Sequence, residues 1–546
     1  MQVPVRFLMR KVFRLLFLVL VSWRVAAASQ VHAVLVFPFE NRSNRADLNW
    51  VSESFAETVS SRLSGPDFYV LERAERNVAC DQLGIPADTP LTVASEYKVA
   101  QALDADWAIL GKFNVEGSGL TASARLLDLH QLKLSPPVEV TGELSELVEL
   151  QTRLVWLLEA GHNPHFTVGT EEDFSRGFRE VRLNAFENYI RGALANDEPT
   201  RIHFFEESDR LDPSDHRAAL ALGRLYFDQK DYSNSAKWLK KLGPPDPHYL
   251  ESLFFFGVDE FFLGHYQSSQ TAFEKIARQI PLDEVFNNAG VLAGRAGRDE
   301  EALADFERAY TSDPTDDDFC FNRGVALWNL RRYNAAAKSL EEAIKLNDDD
   351  SEAHTLLAVV LEKQGDAAGK QAQLDWLGKH QVGLEAHLSR DVLPQPRIKK
   401  TFDERAFSLL SLAVHNALEA RLATLPADQH AAVHISRGKT LVSEGRQAEA
   451  ERELAEAASL APGDSEAHLQ LAEILQAEDK HEEAVAEFQA ALKLQDSFGG
   501  HLGLARVYLS LNRREQARQE GEAALKLKPE SREAQELVGH IASGAR

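Results

Sequence analysis

The sequence predicts an N-terminal α/β domain followed by an all-α superhelical solenoid of paired helices, arranged in two sub-arrays. Three observations carry that prediction. Residues 31–160 alternate short β-rich apolar runs with stretches of helical periodicity. Beyond them, small residues, aromatic residues and closing prolines recur, with lead positions 223, 257, 290, 324 and 358 advancing by 34, 33, 34 and 34 residues. A second series in the same spacing starts at Gly438, after an interruption at 378–427. At 546 residues the chain is also too long for one ordinary core.

The first residues read as an address. Arg6, Arg10, Lys11 and Arg14 precede the apolar run LLFLVLVSW (15–23), and Ala26 and Ala28 follow in A-x-A spacing. The run is about half the ~20 residues that a spanning helix needs. A signal peptide over 1–28 is therefore expected, with the mature chain periplasmic or secreted; the alternative is anchoring to the inner membrane by an uncleaved signal. No other run is apolar enough to span a bilayer, so no integral span is expected in the mature chain. The net charge of −24 disfavours a polyanionic backbone, which argues against nucleic acid as a partner. Cys80 and Cys320 are the only cysteines and are read as small buried apolar side chains.

Within 29–165, HAVLVFPF is read as a buried strand and Leu48, Val51, Phe55, Val59 and Leu63 as one helical face. FYVLER (68–73) is a second strand, and helices are expected near 74–83 and 91–103. DWAILGKFNV and LTASARLLDL flank Glu116-Gly117-Ser118-Gly119, a hairpin whose turn suits positive φ. PPVEVTG adds a strand and 143–160 an amphipathic helix.

The repeats occupy 166–377 and 428–530. Gly290, Gly297, Ala302, Phe306, Ala309 and Pro314 set the ruler for one unit, and Gly438, Gly445, Ala450, Leu454, Ala457 and Pro462 repeat it. Small residues let two antiparallel helices approach, larger ones fill the gap between units, and glycine or asparagine at the bend tolerates positive φ. One such unit cannot bury its apolar face alone; stacking supplies the core. This pattern resembles the tetratricopeptide repeat (TPR), which implies a right-handed superhelix with a groove. The stretch VLVFPFENRSNRADLNWVSESFAETVSSRL, with DADWAILGKFNVEGSGLTASARLLDL, resembles the TolB N-terminal-like domain.

Residues 378–427 form a linker with a spacer helix. Phe407, Leu410, Val414 and Ala417 lie on one of its faces, read as packed rather than as an exposed docking surface. The more polar 531–546 is expected to cap the stack.

Chemistry-bearing motifs are mostly absent. RGKTLV (437–442) has Val433 where a phosphate loop needs glycine. The acidic clusters DPTDDDF (313–319) and NDDDSEAH (347–354) miss the calcium-loop pattern and are read as helix caps. His162 and His165 lack a third ligand, and HEEAV (481–485) lacks a second histidine. Glu40, Asn41 and Arg42 are read as a locally bonded turn. No enzyme, cofactor or metal site is expected. Asn288 and Asn322 hold equivalent places in consecutive units, and the resemblance implies that such asparagines can bond a bound peptide's backbone; a solvated helix face is the other reading.

The expectation is therefore an exported, non-enzymatic protein-interaction scaffold. Its groove would hold a partner peptide or helix, and its α/β domain would dock a second envelope partner. One alternative is a ligand-sensing α/β domain coupled to a repeat relay, marked by a pocket after the first strand. Another is a cytoplasmic regulatory protein, if the signal is not cleaved. No oligomeric state follows from the sequence.

Overall fold

Strand β1 (His32–Val36) is the hub of the α/β region in this computed structural model. The structure describes residues 31–63, 68–86, 91–162, 170–176, 178–179, 181–244, 246–380, 394–422, 424–443 and 447–543. The expected signal peptide lies outside them, as does His165. The described residues fall into two compact units, one formed within 1–166 and 180–416, the other within 167–179 and 417–546.

In the first unit, β1 pairs in parallel with β3 (Phe68–Leu71) on one side and β4 (Trp107–Glu116) on the other. The short β2 (Glu40–Asn41) also runs parallel to β4. β4 turns back into β5 (Gly119–Asp128) through Gly117 at φ +63°, which pairs antiparallel from Trp107↔Asp128 to Glu116↔Gly119. β5 carries β6 (Lys133–Leu134) and β7 (Val138–Glu143) along its other edge. β1 and the first half of β4, which pair in parallel, bury the continuous apolar runs 34–36 and 108–110, as parallel strands covered by helices must. Helices Asn49–Arg62 and Leu147–His162 pack together, joined by the buried bonds Thr58 Oγ1 to Gln151 Oε1 (2.7 Å) and Gln151 Nε2 to Ser54 Oγ (2.8 Å).

Six helix pairs follow in the same unit, from Leu183–Leu194 with Glu198–Leu211 to Ser351–Gln364 with Ala367–Lys379. Their closeness is set by a glycine on the first helix facing a large side chain sixteen residues later: Gly223 with Leu239, Gly257 with Phe273, Gly290 with Phe306, and Gly324 with Leu340. A Cβ on Gly290 would sit 2.7 Å from the Phe306 ring and 3.1 Å from the Ala302 carbonyl. The bends use glycine at 264, 297 and 365, but Lys230 and Arg331 hold the same left-handed bend at φ 62° and 60°. Stacking thus tolerates a strained residue where the sequence reading expected glycine or asparagine.

In the second unit, three pairs from Ala427–Ser443 to Arg514–Leu527 are followed by the helix Arg532–Ser543. Gly438 meets Leu454, so RGKTLV is a packing segment inside a helix. Ala472 replaces the leading glycine in the next pair, and Gly503 on the helix beyond makes room for the Phe488 ring instead. Ala534 and Ile541 of the last helix are buried.

Both cysteines are free and buried. Burial pushes the Cys320 thiol up to about 12. Among the described residues, no helix is long and apolar enough to cross a membrane.

Candidate functional site

The interruption in the repeats is where the structure adds most to the sequence reading. After the helix Ala367–Lys379 the described chain resumes at 394, and residues 394–403 run without helix or strand along the first helices of the first array. Asn288 Nδ2 donates to the Lys399 carbonyl at 2.9 Å, and Lys399 N–H donates to Asn288 Oδ1 at 2.7 Å. One unit on, Asn322 makes the same pair of bonds with Arg397, both at 2.7 Å. Each side-chain amide thus satisfies the donor and the acceptor of one residue, as a neighbouring strand would. Residues 397 and 399 point the same way because alternate residues of an extended chain do.

Asn287, not singled out from sequence, completes the clamp. Its Nδ2 donates to the Arg397 carbonyl at 2.9 Å, and its Oδ1 accepts from Asn322 Nδ2 at 2.7 Å. All three asparagines are fully buried, so Asn288 and Asn322 are not on a solvated face. Buried amides need such partners, since leaving one unsatisfied costs about 1–3 kcal/mol.

The side chains of the segment are held as firmly as its backbone. The Arg397 guanidinium bonds Asp350 through two nitrogens at 2.8 and 2.6 Å, reaches Asp318 and Glu352, and lies 3.8 Å over the Phe321 ring. Lys399 Nζ contacts Asp316 at 2.8 Å and Asp318 at 2.7 Å. Although burial pushes the Asp318 carboxyl up, Lys399 and Arg397 outweigh it and hold it below its ordinary value. Burial lowers the Lys399 ammonium, and Asp316 and Asp318 more than reverse that. Ile398 packs on the array core, and Phe402 meets Phe254 edge-on at 4.8 Å.

The acidic clusters do cap helices. Asp350 Oδ1 accepts from the Glu352 and Ala353 N–H groups, and Asp316 Oδ1 from those of Asp318 and Phe319. They also present the charge that receives Arg397 and Lys399. A signal for this was available: more aspartates than caps require, and RIKK as a basic run in an acidic chain.

Beyond the segment, the helix Glu404–Leu422 packs Phe407 and Leu410 on the array core and Leu409 on the α/β core, whereas Val414 is half-buried and Ala417 exposed, so the face expected to be packed is so only in its first half. Beside it lies a cavity of about 410 Å³ lined by Tyr69, Glu72, His248, Glu251 and Glu404 among others. Burial, then Glu404 and Glu251, push the Glu72 carboxyl up to about 7. The cavity borders β3, not the end of β1. There Asn41 bonds locally, to the Arg45 carbonyl, Asn49 and Ser43.

In the second unit, His434, His468 and His501 each bond a glutamate nineteen residues later, Glu453, Glu487 and Glu520, at 2.8, 2.6 and 2.5 Å. These pairs tie the two helices of each repeat together. Among the described residues no group of three or more His, Cys, Asp or Glu is arranged to hold a metal ion.

Helix pairs stacked in register, with their first helices lining a groove, define an α-helical repeat solenoid preceded by an α/β region. The repeats are tetratricopeptide repeats: residues 295–360 match one profile described as Tetratricopeptide repeat, and residues 191–249, 256–317 and 435–499 match a second. Proteins of this kind are interaction scaffolds, and some bind peptides. No curated protein matches the chain. Solved structures to which it is similar include MamA, at 15% identity over 32% of this chain and 96% of that one, with a TM-score of 0.28. A tetratricopeptide repeat protein from Parabacteroides merdae matches at 13% identity over 60% and 98%, with a TM-score of 0.25. The first TPR of Spaghetti (RPAP3) bound to an HSP90 peptide matches at 20% identity over 21% and 93%, with a TM-score of 0.21.

Proposed function

We propose that this protein is a non-enzymatic scaffold whose first repeat array holds an extended segment of a partner protein. One observation carries the reading: Asn287, Asn288 and Asn322 are buried and spend their amides on the backbone of an extended chain. Backbone bonds of that kind give affinity without regard to side chains, and flanking pockets then select among sequences. The α/β domain, whose sequence resembles TolB N-terminal-like domains, docks a second partner, and the basic and apolar residues 1–28 support export to the envelope or beyond.

Panning an unbiased displayed-peptide library on the full chain and on Asn288→Ala/Asn322→Ala tests the groove. The expected result is a set of peptides enriched on the parent and lost on the variant. Recovery of the same peptides on both, or of none on either, counts against the scaffold reading. N-terminal sequencing of the chain from fractionated cells tests export, and an intact Met1 in the cytosol would sink that part.

A further inference from the structure

Residues 394–402 occupy the groove as a ligand would, and they belong to the chain that owns the groove. We infer that this segment is a displaceable internal occupant, and that the external partner presents the same chemistry: an extended Pro-Arg-x-Lys stretch ending near an aromatic residue. The inference rests on the scaffold reading above and adds to it the kind of segment bound and the state in which the groove is kept.

Three features argue for that chemistry. The receiving wall is acidic: Asp316, Asp318, Asp350 and Glu352 all contact Arg397 or Lys399, and a cation at each of these two positions is what they complement. The spacing is fixed by the clamp, because Asn322 holds one residue and Asn288 the residue two further on. Shifting the cations by one residue would turn them to the opposite side of an extended chain. Phe321 and Phe319 lie 3.8 and 5.2 Å from the Arg397 and Lys399 head groups, and Phe254 takes Phe402. A partner lacking the basic pair would bury several carboxylates without counter-charge, which is strongly disfavoured.

Two features argue that the segment can leave. It forms no helix or strand with its surroundings, and the main-chain groups of Arg397 and Lys399 bond the side chains of Asn287, Asn288 and Asn322. An internal occupant competes at an effective concentration on the order of millimolar. It therefore weakens every external peptide by the same factor while the groove stays closed, and only peptides of matching chemistry repay the displacement.

The test uses a fluorescein-labelled synthetic peptide with the sequence of residues 394–404 and anisotropy titrations against the full chain. In Arg397→Glu/Lys399→Glu the internal segment is repelled from the acidic wall, and that variant is expected to bind the peptide at least tenfold more tightly than the parent. A second variant replacing 396–400 by Ser-Gly-Ser-Gly-Ser empties the groove without repulsion and should gain similarly. A peptide with a glycine inserted between the Ile and the first Lys, which leaves no cation two residues after the Arg, should lose at least tenfold on both. Equal binding to parent and opened variants, or equal binding of the lengthened peptide, overturns the inference. So does failure of both variants to give the parent's far-UV circular dichroism, which would make the segment an obligatory part of the core. If library peptides bind the opened variants through Asn288 and Asn322 but without a basic pair, this inference falls and the scaffold reading stands. If no peptide binds any form, both fall.

Discussion

Gly290 shows how much one missing side chain decides. Its position lets the helix Asp283–Arg295 approach Phe306 so closely that an added methyl meets both the ring and the Ala302 carbonyl. A flexible side chain could yield, but a backbone oxygen cannot. Gly290→Ala is expected to cost about 1–3 kcal/mol through overpacking, read as a lowered denaturation midpoint; an unchanged midpoint would mean that the pair relaxes. Residues of this kind were legible in the sequence because period and chemistry agree. The groove asparagines were only half legible. Asn288 and Asn322 share a register position, which spacing reveals, whereas the partner that buries them comes from about 110 and 75 residues away in the chain. Periodicity carries no record of such a contact.

At the scale of elements, the same aspartate chemistry serves two ends. Asp366 caps the helix Ala367–Lys379 by accepting from the Gly369 N–H at 2.9 Å. Asp350 caps Ser351–Gln364 in the same manner and also holds Arg397. Asp366→Ala should therefore cost about 1 kcal/mol, the ordinary loss of a cap, and leave the groove segment protected from amide exchange. Asp350→Ala should cost more, about 2–4 kcal/mol, since it also strands a partly buried guanidinium, and should raise exchange at residues 397 and 399. Equal effects of the two substitutions would show that the ion pair contributes nothing. The strands and helices of the α/β region were readable because alternation and helical spacing separate cleanly there. The segment 394–403 was not, because an extended stretch seated on side chains has no period of its own.

The whole molecule carries its acidity unevenly, and that sets its response to pH. Burial pushes Asp259 and Glu96 up to about 7, as it does Glu72 with help from its acidic neighbours. For each, the folded state holds a proton that the unfolded state has released, so the stability gained is lost as pH climbs from the ordinary carboxylate value towards 7. His248 adds a loss of the same sign higher up. Burial lowers its imidazole, but its bond to Glu251 and that charge carry it up to about 9, so its contribution fades between its ordinary value and 9. Asp318 acts oppositely, its contribution being lost only as pH falls through the acid range. The melting midpoint should be highest near about pH 5 and fall steadily towards pH 9. Asp259→Asn should flatten part of that fall, by on the order of 2 kcal/mol at pH 8 and little at pH 4. A midpoint that rises from pH 5 to 9 would contradict the assignment of these groups.

The peptide that fills the groove runs straight on into the helix Glu404–Leu422, and that helix touches the α/β domain: Arg405 donates to the Leu103 carbonyl and Leu409 rests on its apolar interior. Groove and sheet are therefore joined by one uninterrupted stretch of main chain, like a rope made fast at both ends. By thermodynamic reciprocity, a ligand that grips the domain at that helix and favours one state of the groove shifts the groove towards that state, and the state of the groove alters that ligand's hold by the same free energy.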